Sequence, residues 1–415
     1  HYTYSRHDAL SVSGMSGTSR VEHKAVGYAS TTSDTSFAPH AFSGETAETS
    51  NAGPVVTTGD HSDALVSHGG SSALAENSGS VTASGISANG LVAVANNGTA
   101  TTNNLEGGTV TVNGESAAGI YAQGSVANVT NDGTIYVTDS SSTGIALTGD
   151  TVTGTNNGTI EVSGDYSAAI SGNSYGLATT NLVNNGTITV TSEYSTGVVG
   201  VGPTVNITNA EGATISSGAS GIAVIAGGAR SGTISNAGTI TGDVNGGGDR
   251  RVAVKARATS GMTVENTGTI DGTINFAYAT DTTVNNIGGA VGDGEVAISL
   301  GYGENTVTIS GDGNVIDGSI VSRVTRVEMN VVPFDIDVEP EPEPASTLNF
   351  QQTDTLVLNS GYSGRAIENF QTVNFFDGVT EFYGVDIVNS GAVPDGLMDG
   401  DGGIQPLSME ASGTQ

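Results

Sequence analysis

A chain of 415 residues with 62 Gly, 13% charged residues and neither Trp nor Cys carries about twice the usual ~7% of glycine and about half the usual ~25% of charge. Its net charge of −31 and pI near 4.1 argue against nucleic acid or an anionic membrane surface as partner, since both are gripped by clustered Lys and Arg. Without Cys there are no disulfides and no thiolate metal ligands, and no apolar run approaches the ~18 residues of a membrane helix.

Residues 1–72 are rich in Ser, Thr and Ala, show no clear repeat, and contain all six His: His1, His7, His23, His40, His61 and His68. They read as an irregular N-terminal segment, a cap or an exchange arm. A start at His1, with neither Met nor an apolar leader, reads as a processed or trimmed product. The His spacing contains no i,i+4 pair and no HExxH, so no metal site is assigned. Asp60-His61-Ser62-Asp63 holds the residue types of a hydrolase triad, but sequence neighbours rarely converge in that geometry and no G-x-S-x-G elbow surrounds Ser62.

From residue 73 to 332 one phrase recurs: an apolar residue, any residue, Asn, any residue, Gly, Thr or Ser, then Ile or Val. Clear copies are Val129 to Ile135, Leu182 to Ile188, Ile234 to Ile240 and Val264 to Ile270. The marker glycines Gly79, Gly108, Gly133, Gly158, Gly186, Gly212, Gly238, Gly268 and Gly288 recur about every 26 residues, the signature of a stacked array. Each period holds three short apolar alternations. After Gly133, Ile135 and Val137 face one way and Tyr136 the other, then Gly144-Ile145-Ala146-Leu147 and Thr151-Val152-Thr153 follow. The fold class is therefore all-β, a single parallel β-helix of about ten or more three-stranded coils, with right-handed crossovers expected. Asn and Gly tolerate the left-handed conformation that a sharp corner needs, and Asn stacked on Asn forms an amide ladder. About ten coils at ~4.8 Å each make a rod of about 50 Å, with a sheet edge at each end.

The basic residues are sparse and uneven, with none between Lys24 and Arg230. Arg250, Arg251, Lys255 and Arg257 form the one basic patch, a candidate grip for an acidic segment of another copy. Tyr121, Tyr136, Tyr166, Tyr175 and Tyr194 fall on or beside outward faces of neighbouring coils and form a candidate stripe for a sugar or a protein. The outward positions Thr109, Thr111, Thr134, Tyr136, Thr159, Glu161, Thr187 and Thr189 lack the carboxylate cluster that sugar-cleaving sites use. Residues 333–345 read as an acidic, Pro-spaced loop or linker, 346–394 as terminal β coils or a cap, and 395–415 as a polar tail. Asp399-Gly400-Asp401-Gly402 and Asp312-Gly313-Asn314 resemble fragments of calcium loops without the closing glutamate.

With the repeat laid out, the chain resembles the passenger region of bacterial type V autotransporters and related secreted β-helix adhesins. The resemblance covers roughly Asn77 to Gly384. It rests on the Asn-x-Gly-Thr-Ile corners, on Gly119 to Gly124, and on Ile367 to Asn374, which looks like the phrase that precedes the last passenger coils. It implies export to the outer cell surface or release, and non-enzymatic work in adhesion, aggregation or surface coating. No cofactor, metal, nucleic acid or membrane insertion is expected. The implied partner is a molecule of a host or neighbouring cell, or other copies of the chain joined into a filament through open sheet edges. A carbohydrate-active β-helix enzyme, lyase or hydrolase, and a phage tailspike are the alternatives. The family's translocator barrel has no counterpart after Gly384 in the sequence.

Overall fold

The computed structural model describes residues 10–322 except 26–27, 177, 229, 244–250, 302 and 312, together with six strands between 347 and 388. Among the described residues there is no helix. The chain winds as a parallel β-solenoid of about 11 turns. Each turn contributes one strand to each of three faces. On the first, Pro39–Ser43, Leu65–Gly69 and Leu91–Ala95 stack in register. On the second, Thr46–Asn51, Ser72–Asn77 and Thr99–Asn104 do the same. On the third, Pro54–Thr57, Ser80–Ala83 and Thr109–Val112 follow.

Alternation explains the cross-section. Strand Thr134–Val137 runs intermediate, buried, exposed, buried, as a pleat with one face inside requires. Exact register then makes columns of like side chains. Val81, Val110, Ile135, Ile160, Ile188, Ile215, Ile240 and Ile270 stack along the third face, and every one is buried. A second inner column runs Leu65, Leu91, Ile120, Ile145, Ile170, Val198 and Val224. Each such side chain contributes about 1.5–3 kcal/mol on burial, but only between neighbouring coils, so a single turn cannot hold itself together.

The corner between the second and third faces carries the expected amide ladder. Asn51, Asn77, Asn104, Asn131, Asn156, Asn184, Asn209, Asn236, Asn266 and Asn286 each pass a hydrogen bond from Nδ2 to the Oδ1 of the next, the last of them to Asn314, at 2.6–2.9 Å. All point the same way. His23 stands at the head, its Nδ1 2.6 Å from Asn51 Oδ1. Since that oxygen also accepts from Gly53 N–H, the imidazole must donate from Nδ1.

Residues 10–72 correct the expected irregular N-terminal segment. Leu10–Gly14, Thr18–His23 and Ala29–Thr31 begin the same parallel stack and pair with the next coil in register. The repeat is present there in altered letters. His23 replaces Asn, and Asn51-Ala52-Gly53-Pro54-Val55 replaces Thr by Pro at the first residue of a strand, a place that tolerates proline. The inner positions use small residues such as Ala41 and Ala47, which weakens the apolar signal. At the other end, Thr347–Gln351 and Thr372–Phe375 continue the column of Thr306–Ser310. The proposed acidic loop at 333–345 and the tail at 395–415 lie outside the described residues.

Candidate functional site

The third corner, which leads back to the first face, turns differently. Thr35, His61, Ser87, Ser116, Ser141, Tyr166 and Tyr194 occupy it with φ between 53° and 58°, a left-handed conformation held by a hydrogen bond to the neighbouring coil, as from Tyr166 N–H to Glu193 O at 3.1 Å. Inside it the serines make their own ladder: Ser142 N–H donates to Ser167 Oγ, and Ser167 N–H to Ser195 Oγ, both at 3.0 Å. Ser62 belongs to this inner row. It is fully buried, donates to Ser33 O at 2.7 Å, and is no part of a triad with the exposed His61.

Next to this corner the outward side of the first face forms a groove of about 340 Å³. Register alone assembles it. His40, Val66, Val92 and Tyr121 stack in one outward column, and Phe42, His68, Val94 and Gln123 in the next. Val66 and Val92 are 4% exposed and make its floor. The corner supplies Phe37, Asp63 and Asn89 along one wall. The Phe37 and His40 rings lie 4.8 Å apart at 54°, and the Phe42 and His68 rings meet edge to face at 5.5 Å. Four coils at ~4.8 Å give the groove a length of about 15 Å. It stops where the columns shrink to Ala146 with Ser171 and to Thr148 with Asn173.

Asp63 is the one carboxyl group in this lining. Its Oδ1 accepts from Asn89 N–H and Asn89 Nδ2, each at 2.8 Å, and Asn89 Oδ1 in turn accepts from Ala118 N–H at 2.8 Å. Burial nevertheless dominates and pushes the carboxyl up to about 6, against the Asn89 hydrogen bonds and the pull of His61. Tyr121 donates to Gln123 Oε1 at 2.6 Å. Its phenol is raised too, by burial first, then by Tyr175 and Asp63.

The five tyrosines do not form one stripe. Tyr121 lines the groove, whereas Tyr136 sits on the third face in register with Thr111 and Glu161. Tyr166 and Tyr194 stack on the corner ridge, 5.2 Å apart and 8° from parallel, while 66% and 54% exposed. Tyr175 is exposed after the strand Ala168–Ser174. The basic cluster is also divided. Arg251 is tied to Asp271 by two contacts of 3.0 Å and to Gly242 O at 3.1 Å. Lys255 is half-buried in the outward column between Ile225 and Asn275. Arg250 and the side chain of Arg257 lie outside the described residues.

Sequence reading missed the groove. Its members Asp63 and Asn89, His40 and Val66, and Phe42 and His68 are each 26 positions apart, so the signal was there once Asn51-x-Gly53 is recognised as a corner. A second hollow of about 360 Å³ lies at the head of the amide ladder, beside Glu22, Lys24, Glu76 and Leu105. Its charges are mixed, and it holds neither Phe nor Tyr. Among the described residues no three His, Asp or Glu converge as a metal site, and no helix is long and apolar enough to cross a membrane.

Residues 7–181 match a family model described as the BigA third pectate lyase-like domain, BigA being a bacterial surface protein. The match spans the whole groove. No curated protein and no solved structure matches the chain.

Proposed function

We propose that this chain belongs to a bacterial surface protein and works by binding, as an adhesin or coat element, with the first-face groove as its contact site. The observation that carries the reading is the groove's make-up: rings from Phe37, Phe42 and Tyr121 over a valine floor, with Asp63 as its single carboxyl group. Bond-cleaving sites on sugars generally use a pair of carboxyl groups. Aromatic side chains with polar tips are suited to holding a ligand. The rod around it satisfies its own corners and presents few lysines, which suits an exposed location. The match to a domain of a bacterial surface protein supports the same placement.

A carbohydrate-active enzyme remains the second reading, favoured by a carboxyl raised to about 6 in an open groove and by the pectate lyase-like description of the matching family. The two separate in one experiment. Cells or beads displaying the chain are scored for adherence, and the same protein is incubated with polygalacturonate and neutral polysaccharides while reducing ends and unsaturated products are followed. Adherence that drops in a Phe42→Ala, Tyr121→Ala double variant, with no new chain ends, supports binding. Turnover abolished by Asp63→Asn supports catalysis instead.

A further inference from the structure

Resting on the binding reading, we propose that the first-face groove takes a saccharide bearing a protonated amine, with the ammonium seated against Asp63 and the sugar ring against Phe42 and Tyr121. Charge points to the ligand class. The groove has no Lys or Arg in its lining, where the basic side chains are His40 and His68, and the chain carries −31, so the overall field disfavours an anionic polysaccharide. Asp63 receives two hydrogen bonds from Asn89 on Oδ1. Neither ion pair described in the structure involves it; those join Arg20 to Glu48 and Arg251 to Asp271. Beyond the weak pull of His61, a partly enclosed carboxylate that no Lys or Arg pairs with among the described residues is a cost to the free protein that a bound cation removes. The aromatic faces beside it add cation–π attraction for the same group.

Geometry favours a sugar over a basic peptide. The main-chain N–H and C=O groups of this face are committed to the coil-to-coil ladder, so an extended peptide would bring its own backbone groups to a surface offering side chains only. A pyranose instead has apolar faces and a polar rim. The valine floor and the rings meet the faces, and Asn89, Gln123 and the Tyr121 hydroxyl meet the rim.

The test is calorimetry on the full chain at pH 6.5, where the sugar amines are substantially protonated and Asp63 is largely ionised, and at low salt, with a tetramer of β-1,4-linked glucosamine as probe. Saturable binding is expected, weakened at least tenfold when the same tetramer is N-acetylated and at least tenfold in Asp63→Asn, which keeps the acceptor for Asn89. Tyr121→Ala should weaken it several-fold. Equal affinity for the acetylated tetramer, an unchanged Asp63→Asn, or tighter binding of oligogalacturonate overturns the proposal. Tetralysine binding as tightly as the glucosamine tetramer overturns the saccharide class. Adherence of displayed protein is measured in parallel: if it persists while the tetramer fails to bind, the ligand assignment falls and the adhesin reading stands, whereas loss of both removes both.

Discussion

Asn131 donates from Nδ2 to Asn156 Oδ1 at 2.8 Å and to the Gly133 carbonyl, within its own corner, at 3.2 Å. The same amide nitrogen thus closes a corner and joins two coils, while its oxygen accepts from Asn104 at 2.8 Å. Asn131 is fully buried, so Asn131→Ala strips Asn104 Nδ2 of its shortest bond, leaving it the longer ones to Gly108 O and Thr134 O, and takes the Asn131 donor from Asn156 Oδ1. At about 1–3 kcal/mol for each group so deprived, the expected loss is about 2–4 kcal/mol, read from the urea midpoint. Asn131→Asp is the sharper probe. Its carboxylate sets lone pairs against the oxygens of Gly133 and Asn156, so the variant should be less stable at pH 8 than at pH 4 relative to wild type. A loss independent of pH would mean that the ladder's polarity contributes nothing.

Two glycines within that corner series separate crowding from conformational need. A Cβ on Gly133 would be driven into the carbonyl oxygen of Gly108, the corner below, although Gly133 is not left-handed. Gly107 has φ of 79° and open space around the same position. Gly107→Ala should therefore cost about 1–2 kcal/mol, the price of a left-handed alanine, whereas Gly133→Ala must shift one coil against another and cost more. Comparable unfolding midpoints for the two variants would contradict this ranking.

Why the rod was legible in the sequence and the groove was not follows from how each is encoded. An inward Ile135 or Ile160 has to be apolar and its corner has to hold Asn and Gly, so those positions repeat and can be read. Outward positions have no such constraint. Tyr121, Ala146 and Ser171 occupy the same column with nothing in common, and a site made from such a column appears only when register is known. The N-terminal coils were missed for a related reason: His23 and Pro54 meet the physical demands of the corner with residues outside the phrase. The tyrosines do not share one stripe because spacing along the chain does not say which of three faces a residue takes, and Tyr136 and Tyr121 lie on different ones.

The stacked Tyr166 and Tyr194 sit at φ of 56° and 53°, where a bulky residue is strained. Their mutual contact offsets part of that strain, since parallel rings at this separation contribute about 0.5–1.5 kcal/mol. A double-mutant cycle with Tyr166→Asn and Tyr194→Asn tests it. Each single change relieves a left-handed tyrosine while breaking the stack. The double change should be more stabilising, by about the stacking energy, than the two single changes summed. A coupling of zero would show two independent exposed rings.

Asp63 sets a pH dependence whose sign runs opposite to that of an ordinary salt-bridged carboxylate. Its carboxyl rises from 3.8 in the unfolded chain to about 6 in the fold, so between those values the folded protein holds a proton that the unfolded one releases. The stability it contributes is full below pH 3.8 and lost as pH climbs through about 6. Asp63→Asn keeps a neutral group and the Asn89 acceptor at all pH values. The variant should therefore exceed wild type at pH 8 by about 1–2 kcal/mol, a figure reduced from the full shift for partial solvent access, and match it near pH 3.5. The difference between the two urea midpoints, followed across pH, reports the carboxyl of Asp63 together with its interaction with His61. A gap that stays constant from pH 3.5 to 8 would mean that the carboxyl is not held protonated in the groove, and that its enclosure there costs the fold nothing.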